Sequence, residues 1–276
     1  MKSYDLNFLQ PVNNITKHLS PKIAYIYIVL ITLQFYLLPL ASFAYETDFN
    51  RQAAYMHFYA TSFYTIIVLG AVVLHSNGIV LFRDHYTLSL IALSCFLRTT
   101  FIGDYELLHR SYMNFLGLTL LIYMIVNRRK ITIPSLKSVF IGFLWSASTV
   151  LILALLYAVL VPMHGALPLD LTSYIINMSV FQLSFVTVIE EAAFRGLLFG
   201  FMVLNGYKEN TALFIQAILF WGIHYMDIAN PVLFFIIVPL FTLSVTLIIK
   251  KYKMLYLSII MHLLMNVFLR VFVAML

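Results

Sequence analysis

Residues 188–200 have the sequence VIEEAAFRGLLFG, which places Glu190, Glu191 and Arg195 inside an apolar run that extends over about 172–203. Each ionisable group at membrane depth costs about 2.5–3.5 kcal/mol on insertion scales, so three of them within six residues are expected to serve a purpose. On a helix Glu191 and Arg195 are four residues apart and can pair. Glu190 is rotated by about 100° and has no basic residue three or four positions later. We therefore predict a Glu191–Arg195 ion pair and a Glu190 carboxylate that is left for chemistry.

The composition is that of a polytopic membrane protein. Of the 276 residues, 62% are hydrophobic and 10% are charged, whereas soluble domains carry about a quarter charged residues. The net charge of +6 fits basic loops that set membrane topology, so we expect no nucleic-acid partner. Cys95 is the only cysteine, which excludes an internal disulfide. No short apolar region with a cleavage site precedes the first span, and we expect an uncleaved anchor.

Apolar runs predict an all-α bundle of transmembrane helices. Runs of spanning length lie at about 23–44, 52–74, 138–161, 172–203, 232–249 and 254–275, and shorter runs lie at about 86–97, 113–126 and 211–224. This pattern predicts nine spans, or eight if one short run is re-entrant, with the active site inside the bilayer.

The basic residues predict a cytoplasmic N-terminus. If every span crosses, the cytoplasmic segments contain Lys2, Lys17, Lys22, Arg83, Arg128, Arg129, Lys130, Lys137, Lys208, Lys250, Lys251 and Lys253. The opposite side contains only Arg51, Arg98, Arg110 and Arg270. This bias follows the positive-inside rule. We expect a multi-pass protein of a bacterial plasma membrane, since the chain is compact and shows no retention signal.

Three predicted helices of the C-terminal part bring polar groups to similar depths. Counted from the cytoplasmic ends of their runs, Glu190 lies at roughly 21 Å, His224 at roughly 20 Å and His262 at roughly 13 Å. Asn266 shares a helix face with His262. From the position of these polar residues we predict that residues 127–276 form the functional core, whereas residues 1–126 carry four spans and no interpretable polar cluster. Other histidines, among them His75 and His109, are expected to face solvent or head groups.

The predicted polar cluster suits hydrolysis of a peptide bond. Glu190, shielded from bulk water, takes a proton from a water molecule that His224 helps to orient. His262 and Asn266 donate hydrogen bonds to the developing oxyanion. The alternative is a zinc site made by Glu190, His224 and His262, although the HExxH spacing of zinc proteases is absent.

Three motifs carry a resemblance to a known family: Glu190-Glu191-x-x-x-Arg195, Phe220-x-x-x-His224 and His262-x-x-x-Asn266. The series resembles that of the CPBP family, also called Abi, which contains CAAX prenyl proteases and bacteriocin-processing or immunity proteins. The resemblance covers about 138–276.

The resemblance implies an intramembrane protease in which Glu190 activates water. Glu191 and Arg195 then have supporting roles, His224, His262 and Asn266 position the water and the oxyanion, and Phe220 packs against the cluster. The family is described both as metalloprotease-like and as glutamate-type, so no cofactor is required on the favoured interpretation and zinc stays the alternative. The expected partners are membrane lipid and a lipidated or membrane-associated protein or peptide.

Two other functions stay open. A non-catalytic immunity protein or scaffold would keep the motif for packing. An ion-coupled transporter would also carry intramembrane Glu and His residues, although the chain lacks evident inverted repeats. Gly196 and Gly200 are spaced as a small-residue contact between helices.

Overall fold

The computed structural model describes residues 25–27, 29–33, 49–101, 107–161 and 170–273. These residues are almost entirely helical and contain no strand, so the predicted all-α class is confirmed for the described part of the chain. Most of the predicted span at 23–44 lies outside the described residues.

Eight long helices follow one another from residue 49 onward in the described chain. They are α1 (Phe49–Ser76), α2 (His85–Arg98), α3 (Leu107–Val126), α4 (Leu136–Leu160), α5 (Leu171–Phe181 continuing to Phe199–Leu204), α6 (Glu209–Ile223), α7 (Leu233–Ile237 and Val238–Tyr252) and α8 (Leu255–Val273). Short 3₁₀ turns lie at Val80–Phe82, Thr99–Phe101 and His224–Ala229.

Each predicted run from 52–74 onward coincides with one of these helices. Three described helices are long and apolar enough to cross a membrane by length and composition, namely Tyr59–Ser76, Leu136–Leu160 and Leu233–Tyr252. The chain is therefore an apolar helical protein of the integral membrane class, whereas the count of eight or nine spans stays a prediction.

Helix α5 is interrupted by two π-helical turns that the sequence did not predict. Between its α-helical parts lie the π turns Gln182–Val186 and Glu191–Leu198, with Thr187–Glu190 between them. In the first π turn, both the amide and the hydroxyl of Thr187 donate to the carbonyl of Gln182, five residues earlier. A π turn holds an additional residue and changes the direction of the side chains that follow it.

Helix α5 packs closely against the N-terminal helices. A Cβ atom on Gly196 would lie 2.5 Å from Phe82 Cζ, and one on Gly200 would lie 2.6 Å from Leu74 Cδ1. The predicted small-residue contact is therefore present. One hydrophobic core contains residues of both halves of the chain, and the division at residue 126 stays a prediction.

A buried carboxylate joins α2 to the start of α8. Asp84 accepts hydrogen bonds from the amide and the hydroxyl of Thr87 at 2.7 and 2.6 Å. The same Thr87 hydroxyl accepts a hydrogen bond from the Tyr256 amide at 3.0 Å. This connection fixes the first turn of the helix that carries His262.

The expectation that His75 and His109 face solvent or head groups is wrong. Their side chains are buried, and each contacts a neighbouring helix: His75 with Tyr123 and His109 with Thr61. Both histidines lie on the faces where α1 and α3 pack together.

Candidate active site

The Glu191–Arg195 pair lies at the centre of the site and is fully buried. Arg195 Nη1 donates to Glu191 Oε1 at 3.0 Å, which confirms the predicted ion pair. The guanidinium carbon lies 3.3 Å from the centroid of the Phe220 ring, so Phe220 packs against the cluster as expected. Two opposite charges in contact make this burial tolerable, because an isolated buried charge would be far more costly.

His262 of α8 lies between the two adjacent carboxylates of α5. Its Nδ1 is 2.8 Å from Glu191 Oε1, and its Nε2 is 3.8 Å from Glu190 Oε2. A carboxylate only accepts, so the Nδ1 nitrogen carries the proton of the first contact. The second distance is too long for a direct hydrogen bond. His262 is thus anchored on one side and faces Glu190 on the other.

His224 follows the last turn of α6. Its Nδ1 donates to the Phe220 carbonyl at 2.9 Å, which makes Nε2 the hydrogen-bond acceptor of the neutral ring. The Phe220 ring packs against both imidazoles, with centroid distances of 4.7 Å to His224 and 5.7 Å to His262.

Asn266, one turn beyond His262, binds a residue that sequence reasoning missed. Its Nδ2 donates to the side-chain oxygen of Gln182 at 2.8 Å. Gln182 is buried in the first π turn of α5. The sequence signal for Gln182 is a polar residue within an apolar run, eight positions before Glu190. On a regular α-helix, however, Gln182 would point about 80° away from Glu190.

One cavity of about 440 Å³ brings the four predicted catalytic residues together. Its polar lining consists of Glu190, His224, His262, Asn266, Gln182, Tyr157 and Asn230. Asn230 donates to the Tyr157 hydroxyl at 2.9 Å, and sequence reasoning missed both residues. The apolar lining consists of Phe181, Val186, Leu233, Ile237, Val238, Phe241, Met265 and Leu269. The cavity thus combines apolar side chains with several convergent polar groups, a combination that is typical of a ligand-binding site.

The predicted zinc ligands share this cavity but do not form a metal-binding arrangement. Across the described ranges, no three His, Cys, Asp or Glu side chains are grouped so that they could hold a metal ion. His262 uses Nδ1 for Glu191 and His224 uses Nδ1 for a backbone carbonyl, so Nε2 is the ring nitrogen with which either residue could bind a metal. The zinc alternative therefore stays a prediction.

Comparison with known protein families gives a match in the C-terminal part of the chain. Residues 172–268 match the Rce1-like family model, described as type II CAAX prenyl endopeptidase Rce1-like. The matched segment contains all three motifs and every residue predicted for the site. No curated protein and no solved structure matches the chain.

Proposed function

We propose that this protein, whose residues 172–268 match the family model of Rce1-like type II CAAX prenyl endopeptidases, is an intramembrane endopeptidase with Glu190 as its general base. The family match points to a protease. The observation that carries the proposal for Glu190 is the position of His262, which is held by Glu191 through Nδ1 and faces Glu190 across 3.8 Å at the wall of the cavity. The proposed substrate is a membrane-associated or lipidated protein or peptide.

In the proposed reaction, Glu190 takes a proton from a water molecule as that water attacks the peptide carbonyl carbon. His224 orients the water, because its Nε2 can accept the water's other hydrogen. The position of Glu190 supports this role: its side chain is 18% exposed at the cavity, whereas the Glu191 side chain is fully buried against Arg195.

The carbonyl oxygen becomes an oxyanion as the new C–O bond forms. An N–H of Asn266 donates to this oxyanion, and His262 donates from Nε2 when both ring nitrogens carry protons. Collapse of the tetrahedral intermediate breaks the C–N bond. The departing amine takes the proton held by Glu190, which restores the carboxylate.

The test is cleavage of a prenylated peptide with a C-terminal CAAX sequence by the purified full chain in lipid vesicles. Glu190→Gln keeps the size of the side chain but removes the base, and we expect cleavage to fall by about 10²–10⁴-fold. Leu197→Ala is the control for packing, since Leu197 is a buried apolar neighbour on the same helix. Normal cleavage by folded Glu190→Gln would overturn the proposal.

The other functions predict different results in the same preparation. A scaffold would give a Glu190→Ala phenotype no worse than that of Leu197→Ala. A transporter would show flux through the vesicle membrane that depends on a pH gradient.

We expect cleavage to need no metal. The wild-type protein should keep its activity after treatment with a strong chelator, measured with the same prenylated peptide. If activity is lost and is restored by added Zn²⁺, Glu190, His224 and His262 become the zinc ligands to test.

A further inference from the structure

We infer that Gln182 is a positioning residue that sets the orientation of the Asn266 amide, and that α1 and α2 hold the π turn that carries Gln182. The inference rests on the proposed function, because the oriented amide is the donor assigned to the oxyanion. It also gives the N-terminal half of the chain a role in the reaction.

The Gln182–Asn266 contact selects one orientation of an amide that lines the cavity. Asn266 Nδ2 has two hydrogens, and Gln182 Oε1 accepts one of them at 2.8 Å. Without this acceptor, the Asn266 amide could rotate by 180° and present its oxygen in place of its nitrogen. The Nε2 of Gln182 faces Met178 Sδ at 3.8 Å, and a thioether is a weak acceptor. The strong hydrogen bond of the Gln182 side chain is therefore the one to Asn266.

The π turn brings Gln182 to the cavity. In an α-helix, eight residues separate Gln182 from Glu190 by two turns and about 80°. The wider π turn reduces this angle, and both side chains line the same cavity. Local π turns are frequent at functional sites because they change the direction of side chains in this way.

Helices α1 and α2 contact this π turn directly. The fully buried Tyr64 hydroxyl of α1 donates to the Ser184 carbonyl and also contacts the Ser94 hydroxyl of α2. The Arg98 guanidinium, at the end of α2, lies 4.6 Å from the centroid of the Phe185 ring. A π turn changes the pairing of backbone carbonyls, and the Tyr64 hydroxyl supplies a donor to one of them. The N-terminal helices thereby stabilise the turn on the side facing them.

The first test is a double-mutant cycle on kcat and KM for the prenylated peptide. Gln182→Met keeps a similar volume but removes the acceptor, and we expect kcat to fall about tenfold with little change in KM, as for a lost transition-state contact. In an Asn266→Ala background, the same change should have no further effect, because Gln182 acts through Asn266. Gln182→Glu, which keeps an acceptor of the same length, should recover part of kcat.

Gln216→Met is the matched control. Gln216 is also fully buried, and it donates to the Leu213 carbonyl and the Thr246 hydroxyl at 2.9 and 3.1 Å, away from the cavity. Its variant should keep the wild-type kcat.

Two results would overturn the role of Gln182: wild-type kcat in Gln182→Met, or losses that multiply fully when Gln182→Met and Asn266→Ala are combined. Either can occur while the wild type cleaves and Glu190→Gln does not, so failure of the inference is distinct from failure of the proposed function. If the wild type itself does not cleave, both fail.

The second test concerns the contact from α1. Tyr64→Phe removes only the hydroxyl that donates to Ser184, and we expect a several-fold lower kcat in protein that still folds. In the Gln182→Met background this loss should shrink, because both changes act on the same turn. An unchanged kcat in Tyr64→Phe would remove the N-terminal helices from the inference.

Discussion

Two adjacent carboxylates in this protein have different surroundings. Glu191 is fully buried, and its Oε1 accepts from both Arg195 and His262. Glu190 lies at the cavity with its Oε2 3.8 Å from His262 Nε2. A carboxylate that is already neutralised by a buried guanidinium is poorly suited to take a proton from water. The division of roles between the two residues therefore follows from their partners.

This division predicts unequal effects of two matched substitutions on stability. Glu191→Gln leaves the Arg195 guanidinium buried without its counter-charge, and we expect a loss of about 3–5 kcal/mol in the free energy of unfolding. Glu190→Gln should change stability by less than about 1 kcal/mol, because its side chain lies at the cavity. Denaturant unfolding in detergent micelles measures both. Equal losses in the two variants would contradict the assigned roles.

Asp84 makes stability depend on pH. Burial raises the pKa of the Asp84 carboxyl from 3.8 to about 6, against the opposing effect of hydrogen bonds from Thr87. The folded chain therefore binds this proton more tightly than the unfolded chain. The protonated Asp84 carboxyl makes its full contribution to the free energy of unfolding below about pH 4, and this contribution is lost as the pH rises through about 6. The loss is at most about 3 kcal/mol.

Asp84→Asn should remove this part of the pH dependence. Asparagine is also a favourable N-cap residue, so the start of α2 is preserved while the titrating group is removed. Thermal unfolding midpoints at several pH values between about 4 and 7 should fall in the wild type and change less in the variant. Parallel curves for the two proteins would show that Asp84 does not titrate in this range.

At the scale of single helices, α5 shows what the sequence can and cannot predict. The ion pair between Glu191 and Arg195 was predictable, because it depends on spacing within one helix. The π turns were not predicted, because apolar spacing does not specify hydrogen bonding to the fifth residue. Gln182 was missed because regular α-helical spacing would turn it about 80° away from Glu190.

The burial of His75 was missed because composition does not specify which face of a helix packs against another. The apolar runs, in contrast, located α1 to α8 because their length and hydropathy are local properties. The juxtaposition of Glu190, His224 and His262 at one cavity was anticipated from their similar predicted depths, because the rise of 1.5 Å per residue is a local property of each helix.

Close packing between α5 and the turn before α2 predicts an effect of a single methyl group. Gly196→Ala places a Cβ 2.5 Å from Phe82 Cζ and 3.0 Å from Leu255 Cδ2. Phe82 is fully buried and has little room to move, so we expect a loss of about 1–3 kcal/mol in stability. In a Phe82→Leu background, the smaller side chain should reduce the cost of Gly196→Ala. A cost that stays the same would locate the strain elsewhere.

At the scale of the whole molecule, contacts between loops support the predicted alternation of spans. Two segments predicted to be cytoplasmic meet where Lys253 donates to Glu209 at 2.8 Å. Two more meet where the Thr132 amide donates to the Arg83 carbonyl at 2.7 Å. These contacts indicate which loops lie on the same side of the membrane. Which side is cytoplasmic is predicted from the excess of Lys and Arg in these loops.

Labelling of single cysteines tests whether these Lys- and Arg-rich loops lie on the cytoplasmic side of the membrane. In a Cys95→Ser background, Lys130→Cys and Lys208→Cys lie at exposed positions in predicted cytoplasmic loops, and Asp170→Cys lies at an exposed position before α5 on the opposite side. A membrane-impermeant maleimide added to intact cells should label only Asp170→Cys, and all three variants should react after lysis. The reverse pattern would place the N-terminus outside. Labelling of both Asp170→Cys and Lys208→Cys in intact cells would mean that α5 does not cross the membrane, and a Glu190 site at membrane depth would then be untenable.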